Sequence, residues 1–265
     1  MISYRGVLIG ADGSSESAPA IEAGGVVAAA LGVPAVVITV WDGFTNVPEG
    51  ESYEWALAIG DAAVKVVEDA GATDVTSLQP TGSAAEVLVE VAEEHPDFLL
   101  VIGGASLHRA TSRVAGSVAN RLSHHSPADV LFVQGPLPRA GGAVGLTTDG
   151  SATSRHAVRR GLELTLALGA TPHLVTVAKD LEEGGRLMSA SLGELGIDEP
   201  DLVVERDVLT GLLPAKTLID AASDYGILAI GNRSMSGPSR LLGSVANKVT
   251  HSAHTNLLLV NTSRD

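Results

Sequence analysis

Apolar residues along this chain fall into short unbroken runs, separated by stretches in which apolar positions recur every three or four residues. Runs such as GVLIG (6–10), FLLVI (98–102) and LLLV (257–260) are too short for helices. They also lack polar alternation, as strands covered on both faces do. In the first half the pattern predicts strands at 5–11, 34–41, 74–80, 97–103 and 129–134, with helices at 15–31, 53–70, 84–95 and 116–125. The second half reads as strands 142–148, 172–178, 201–209, 227–231 and 256–261, with helices 152–169, 180–195, 213–224 and 243–253. Strand and helix alternate strictly, which implies parallel strands joined by right-handed crossovers. The expected fold class is α/β: two tandem doubly wound, Rossmann-like parallel-sheet domains.

Local signals refine the boundaries. Ser83 followed by Glu86 has the form of a capping box ahead of the apolar face of Val87, Leu88 and Val91. Ser126-Pro127 stops the fourth helix, because the residue before proline avoids helical angles. Ala23 to Trp41 carries no charge and is long enough to suggest a membrane span, but Gly32 and Pro34 interrupt it. Helix end, tight turn and buried strand is the reading that accommodates the break.

The two halves repeat one another. Asp12-Gly13-Ser14 recurs as Asp149-Gly150-Ser151, and Val40, ending the second strand, falls on Val177 at the same offset. Later, Gly116-Ser117-Val118-Ala119-Asn120 recurs as Gly243-Ser244-Val245-Ala246-Asn247 at a smaller offset, so the second copy is shorter around its second helix. Repeats of this length are domains rather than solenoid units. Domain 1 is expected over 1–137 and domain 2 over 138–265, with the proline- and glycine-rich stretch from Gly135 to Gly142 as linker.

Composition changes this picture in three ways. Only 3% of residues are aromatic, so the cores must be built from Val, Leu, Ile and Ala. There are no cysteines, which removes disulfides, thiolate metal sites and cysteine nucleophiles from consideration. The net charge of −14 argues against nucleic acid as a partner, because phosphate contacts supply most of that affinity. Residues 1–137 hold 5 basic and 17 acidic residues, whereas residues 138–265 hold 12 and 14. The amino terminus has no signal-peptide pattern, so no membrane partner and a cytoplasmic location are expected.

In an open parallel sheet, ligands bind at the carboxyl ends of the strands, where the strand order reverses. Three segments of each copy arrive there. After strand one come Ala11-Asp12-Gly13-Ser14 and Thr148-Asp149-Gly150-Ser151, in which the aspartate either accepts from ribose hydroxyls or turns the chain into the next helix. After strand two, Val40 and Val177 either line a base pocket or belong to the core. After strand four comes the most informative segment, Gly103-Gly104-Ala105-Ser106 onward to Gly116-Ser117-Val118. The second copy repeats it from Gly231 through Ser234 to Gly243 and Ser244. Glycines let backbone donors approach phosphate oxygens, and a helix amino terminus offers free N–H groups and a positive dipole end. Arg109, Arg113 and Arg121 accompany this segment without an acid, as do Arg233, Arg240 and Lys248 in the second copy. A solvated basic face is the plainer alternative.

The P-loop pattern is absent, and no G-x-G-x-x-G follows the first strand of either copy. No serine sits in a G-x-S-x-G elbow. His124, His125, His251 and His254 fall near helix ends and read as capping residues rather than metal ligands. No metal site and no catalytic residue is therefore assigned.

A strand ending in Asp-Gly-Ser, then G-x2-G-x9-G-[ST] after the fourth strand, resembles the universal stress protein family, and the resemblance spans nearly the whole chain twice. It implies a five-stranded sheet of order 3-2-1-4-5 in each copy and pairing of copies through their last strands. Here that pairing would be an intrachain pseudo-dimer or a homodimer. It also implies a stress-response protein, not an enzyme beyond slow ATP hydrolysis, that binds ATP or a related adenine nucleotide with Mg²⁺ as a regulatory ligand. By this resemblance Asp12 and Asp149 meet the ribose and Val40 and Val177 the adenine. Gly103, Ser106, Gly116 and Ser117 hold phosphate in the first copy, and Gly231, Ser234, Gly243 and Ser244 in the second. Two departures stand out: the second motif glycine is serine in both copies (Ser106, Ser234), and the second spacing is one residue shorter. They carry the alternative of a nucleotide-free interaction protein with degenerate phosphate loops.

Overall fold

A computed structural model of the chain describes residues 4–43, 52–104, 107, 118–196, 203–232 and 243–263. The chain forms two compact units, Met1–Pro136 and Leu137–Asp265. Unit 1 alternates β1 (Gly6–Gly10), α1 (Ala18–Leu31), β2 (Ala35–Ile38), α2 (Tyr53–Asp69), β3 (Val75–Leu78), α3 (Ala84–Glu94), β4 (Phe98–Gly103), α4 (Val118–His125) and β5 (Val130–Val133). Unit 2 repeats the order as β6 (Ala143–Thr147), α5 (Ala152–Ala167), β7 (Thr171–Ala178), α6 (Leu181–Leu195), β8 (Glu205–Thr210), α7 (Pro214–Ala221), β9 (Ile227–Asn232), α8 (Ser244–Ser252) and β10 (Asn256–Asn261).

All strand pairs within each unit are parallel. In unit 1 the neighbours run β3-β2-β1-β4-β5 and in unit 2 β8-β7-β6-β9-β10, the 3-2-1-4-5 order in both. The register sets Leu8 beside Val36 and Leu100, and Leu100 beside Val130. The core is aliphatic: Val7, Leu8, Ile9, Leu99, Leu100 and Val101 are fully buried, as are Leu257, Leu258 and Leu259 in unit 2. Burying one such side chain stabilises by about 1.5–3 kcal/mol. The few aromatics are used sparingly; Tyr4 is buried and its hydroxyl donates to Asp129 Oδ2 at 2.9 Å.

The uncharged stretch from Ala23 to Trp41 resolves as expected into the end of α1, Gly32 in the left-handed region (φ 66°), and β2. Among the described residues no helix is long and apolar enough to cross a membrane. Other boundaries differ from the sequence pattern for local reasons. The first helix begins at Ala18 rather than residue 15, because Pro19 has no N–H to close an earlier turn. Its counterpart His156 has one, and α5 accordingly starts at Ala152. Ser83 does cap α3, but no capping box forms. Its hydroxyl makes no cap bond, and the Glu86 N–H is already taken by the Ser83 carbonyl at 3.0 Å. The eighth strand starts at Glu205, not 201; residues 201 and 202 lie outside the described residues. The helix expected over 213–224 divides into α7 and a 3₁₀ turn over Ala222–Asp224.

At the amino-terminal ends of the unit 2 strands a polar tie joins three strand segments. Asp207 Oδ2 on β8 meets His173 Nδ1 on β7 at 2.9 Å and accepts from the Tyr225 hydroxyl, just before β9, at 2.8 Å. Burial pushes the Tyr225 phenol well above its ordinary value of 10.0, and the Asp207 hydrogen bond and charge, with Asp224, push the same way. A group whose value is raised on folding contributes stability that is complete below its unfolded value and lost as pH climbs through the folded one. We therefore expect Tyr225→Phe to cost about 1–3 kcal/mol near neutral pH. The gap to the unsubstituted protein should narrow as pH rises past 10.0. Denaturant melts of both proteins from pH 7 to 12 check this; a pH-independent gap would refute the tie.

Candidate functional site

Right-handed crossovers carry α1 and α2 toward β2 and β3, and α3 and α4 toward β4 and β5, so main chain leaves the carboxyl ends of β1 and β4 for opposite faces. A cleft opens between them. In unit 1 it is a cavity of about 350 Å³, and in unit 2 one of about 400 Å³. Small-molecule sites typically span about 300–1,000 Å³.

The floor of each cavity is the same turn. Ser14 N–H donates to Asp12 Oδ1 at 2.9 Å, and Ser151 N–H to Asp149 Oδ1 at 3.0 Å. Ser17 N–H then donates to Ser14 Oγ, and Ser154 N–H to Ser151 Oγ, both at 3.2 Å. The intervening Gly13 and Gly150 take φ of 72° and 78°, a region closed to most side chains, which is why glycine follows aspartate in both copies. The aspartates are therefore turn formers whatever else they do. Both remain exposed at the cavity. Partial burial pushes the Asp12 carboxyl up, but hydrogen bonds from Ser14, Ser17 and the backbone outweigh it and hold it below its usual range. It is ionised at neutral pH.

The walls place most of the expected residues. Ala11 is buried at the floor, its N–H donating to Ile38 O at 3.0 Å. Val40 and Val177 are half-buried and line the cavities rather than the core. Gly103 and Gly231 line them too, as do Val118 on α4 and Gly243 and Ser244 at the start of α8. Gly243 caps α8, and the N–H groups of Ser244, Val245 and Ala246 have no carbonyl within the helix to reach. Val245 and Ala246 line the cavity beside them. Ala105, Ser106, Gly116, Ser117 and Ser234 lie outside the described residues, as do Arg109, Arg113, Arg233 and Arg240. Arg121 and Lys248 are exposed on α4 and α8 and line neither cavity.

Gly103 has a purpose the motif alone does not reveal. A Cβ there would stand 2.7 Å from the carbonyl oxygen of Glu16, so β4 and the entry to α1 approach too closely for any side chain. Gly231 is less confined, with Thr262 at 3.1 Å and Ala157 at 3.2 Å. Sequence reasoning also missed Trp55 and Glu16, which line only the unit 1 cavity, and Thr153 and Ser154, which line only that of unit 2 at positions equivalent to Glu16 and Ser17. Trp55 sits in no repeated motif, so only its place at the start of an amphipathic helix was available as a signal. Among the described residues, no group of three or more His, Asp or Glu could hold a metal ion.

Two doubly wound domains, each with a cleft at its topological switch point, define the chain as a tandem α/β protein of the nucleotide-binding type of architecture. It belongs to the universal stress protein family, whose profile matches residues 3–134 and again 143–261. A universal stress protein of Mycolicibacterium smegmatis is 26% identical over 96% of both chains. The crystal structure of a universal stress protein from Archaeoglobus fulgidus shares the fold over 98% of this chain and 99% of that one, with a TM-score of 0.76 at 19% identity. A universal stress protein solved in complex with cAMP is 31% identical and covers 49% of this chain and 97% of its own, with a TM-score of 0.44.

The close approach at Gly103 yields a direct expectation. Gly103→Ala drives a Cβ against a backbone oxygen and should lower stability by about 1–3 kcal/mol. A denaturant midpoint equal to that of the unsubstituted protein would disprove the steric account.

Proposed function

We propose that the chain is a stress-response protein that binds an adenine nucleotide, ATP with its Mg²⁺, as a regulatory ligand in the carboxyl-end cavity of each unit. The observation that carries this reading is the recurrence of one cavity, with one floor and the same valine and glycine wall positions, in two units. In it Asp12 and Asp149 accept hydrogen bonds from the ribose with the carboxylate oxygen not used by the turn. Val40 and Val177 pack on the adenine. The phosphates meet the first-turn amides of the last helix in each unit, together with Gly103, Ser106, Gly116 and Ser117 in unit 1 and Gly231, Ser234, Gly243 and Ser244 in unit 2. Oriented N–H groups and the positive end of the helix suit a polyphosphate without a lysine-bearing P-loop.

The residues present fit such a ligand. Among the described residues a Cβ at Gly243 would meet nothing within 4 Å, beside the α8 amides that phosphate oxygens would approach. Asp12, held ionised, is a stronger acceptor for hydroxyl donors than a neutral amide. Among the described residues neither cavity presents an oriented base–nucleophile pair, and binding rather than turnover is the role assigned.

The test is equilibrium titration of the full chain with ATP, AMP and cAMP; no saturable binding of any up to millimolar concentration removes the reading. Two variants sharpen it. Asp12→Asn keeps an oxygen to accept the Ser14 N–H, so the turn should survive while ATP affinity falls about tenfold or more. Gly243 has φ −52°, an ordinary angle for alanine, and among the described residues nothing stands within 4 Å of where its Cβ would be. Gly243→Ala should therefore melt within a few degrees of the unsubstituted protein, yet lose about tenfold in ATP affinity at unit 2. Unchanged affinity in both variants would rule out these contacts.

A further inference from the structure

We infer that Trp55 gives unit 1 a base-stacking wall that unit 2 lacks, so that of the two cavities in one chain unit 1 holds an aromatic base the more tightly. This rests on the nucleotide reading above and adds to it which unit selects for an aromatic base and through which residue. Three observations lead there.

The first is position. Trp55 is half-buried and lines the unit 1 cavity with Ile38 and Val40, whereas no residue of α6 lines the cavity of unit 2. The second is how it is held. The Ser52 hydroxyl caps α2 by accepting the Trp55 N–H at 3.2 Å, which fixes Trp55 as the third residue of the helix. The same cap in unit 2 is Asp180, whose Oδ1 accepts the Glu183 N–H at 2.8 Å. Glu183 is thus the positional counterpart of Trp55, and its carboxylate turns back to accept the Lys179 N–H at 3.1 Å. One cap position carries a cavity wall in unit 1 and closes its own helix end in unit 2. The third is what the ring is doing otherwise. The neighbouring Trp41 is occupied, stacking edge-on against Tyr53 at 5.8 Å and donating to the Gln79 carbonyl at 3.0 Å. Among the described residues the Trp55 ring has no aromatic partner, and its indole N–H has no hydrogen-bond acceptor.

The connection ahead of the helix explains how the difference arose. Residues 39–52 separate β2 from α2, but only Lys179 and Asp180 separate β7 from α6. The helix after the longer connection contributes Trp55 to its cavity, and the helix after the shorter one contributes no lining residue. The remaining walls diverge to match. Unit 2 has Thr147, Thr148 and Thr153 where unit 1 has Gly10, Ala11 and Glu16. Unit 1 therefore adds an aromatic face to the aliphatic wall that both cavities share, while unit 2 adds threonine hydroxyls to it. Bases stack on aromatic side chains favourably and without sequence preference, as they do in single-strand binding grooves.

The experiment is calorimetric titration of the full chain with ATP and, as a probe without a base, inorganic tripolyphosphate. Trp55→Ala should weaken the tighter ATP step about tenfold and leave tripolyphosphate binding unchanged. Trp55→Phe should restore most of the loss. A chain carrying Trp41→Phe has Trp55 as its one tryptophan. Its emission should be quenched by saturating ATP and not by tripolyphosphate. The inference fails if the unsubstituted protein binds ATP and Trp55→Ala binds it equally well at both steps. It fails also if the two probes weaken together, which would mark Trp55 as merely structural. No ATP binding by the unsubstituted protein removes the nucleotide reading itself, and this inference with it.

Discussion

The rest of the structure depends on one constraint: a crossover between parallel strands must be right-handed, and the strand order in each unit reverses direction beside its first strand. From β1 the chain moves outward through α1 to β2 and β3, then returns through α3 to β4 on the other side. Handedness then sends the segments leaving β1 and β4 to opposite faces of the sheet. Among the described residues a cavity lies between them at their carboxyl ends in each unit. The cleft is thus a consequence of topology, present in both units before any side chain is considered, and the side chains decide only what it accepts.

That constraint also explains what was legible in the sequence. Parallel strands covered on both faces must be apolar throughout, so Phe98–Gly103 and Asn256–Asn261 announce themselves as uninterrupted runs and were read to within a residue. Repetition then located the cleft, because Asp12 and Asp149 keep the same distance from Val40 and Val177 in both copies. Interactions between elements were not legible. Nothing near Gly103 in sequence says that the Glu16 carbonyl will stand where its side chain would be. Ser83 and Glu86 have the letters of a capping box, yet a backbone carbonyl had already satisfied the amide it needs. Trp55 was missed for a related reason. A wall contributed by one copy alone leaves no trace in a repeat, and repeats were the guide.

The shared floor shows why a structural reading and a ligand reading of one motif need not compete. Asp12 and Asp149 each use one carboxylate oxygen to receive a serine N–H, and the glycine between adopts an angle that most residues avoid. This turn orients the aspartate at the mouth of the cleft and launches the following helix. A substitution that disturbs the turn disturbs both tasks, which couples the geometry of the site to the stability of α1 and α5. Such coupling is expected wherever a binding group is held by rigid local hydrogen bonds rather than by its own flexibility.

Duplication relaxes this coupling unevenly. Floor residues remain alike in the two units because the turn requires them, whereas wall positions such as Glu16 and Thr153 have separated. In unit 2 the Thr148 hydroxyl contacts both Ser154 Oγ at 3.1 Å and Ser191 Oγ at 3.4 Å, and Thr176 donates to the Thr148 carbonyl at 2.9 Å, so hydroxyls knit α6 to the turn. In unit 1 the residue equivalent to Thr148 is Ala11, and the hydroxyl of Thr39, which corresponds to Thr176, is buried with no hydrogen-bond partner. There α2 is held to the turn by apolar contact instead: a Cβ on Gly13 would lie 2.6 Å from Ile59 Cδ1. One unit thus seals its second helix against the floor with polar bonds and the other with hydrocarbon. The hydrocarbon seal gives the indole at the unit 1 wall apolar surroundings, and the hydroxyl network stands at the corresponding place in unit 2. The difference in how each cleft is lined follows from how each copy solved the same packing problem.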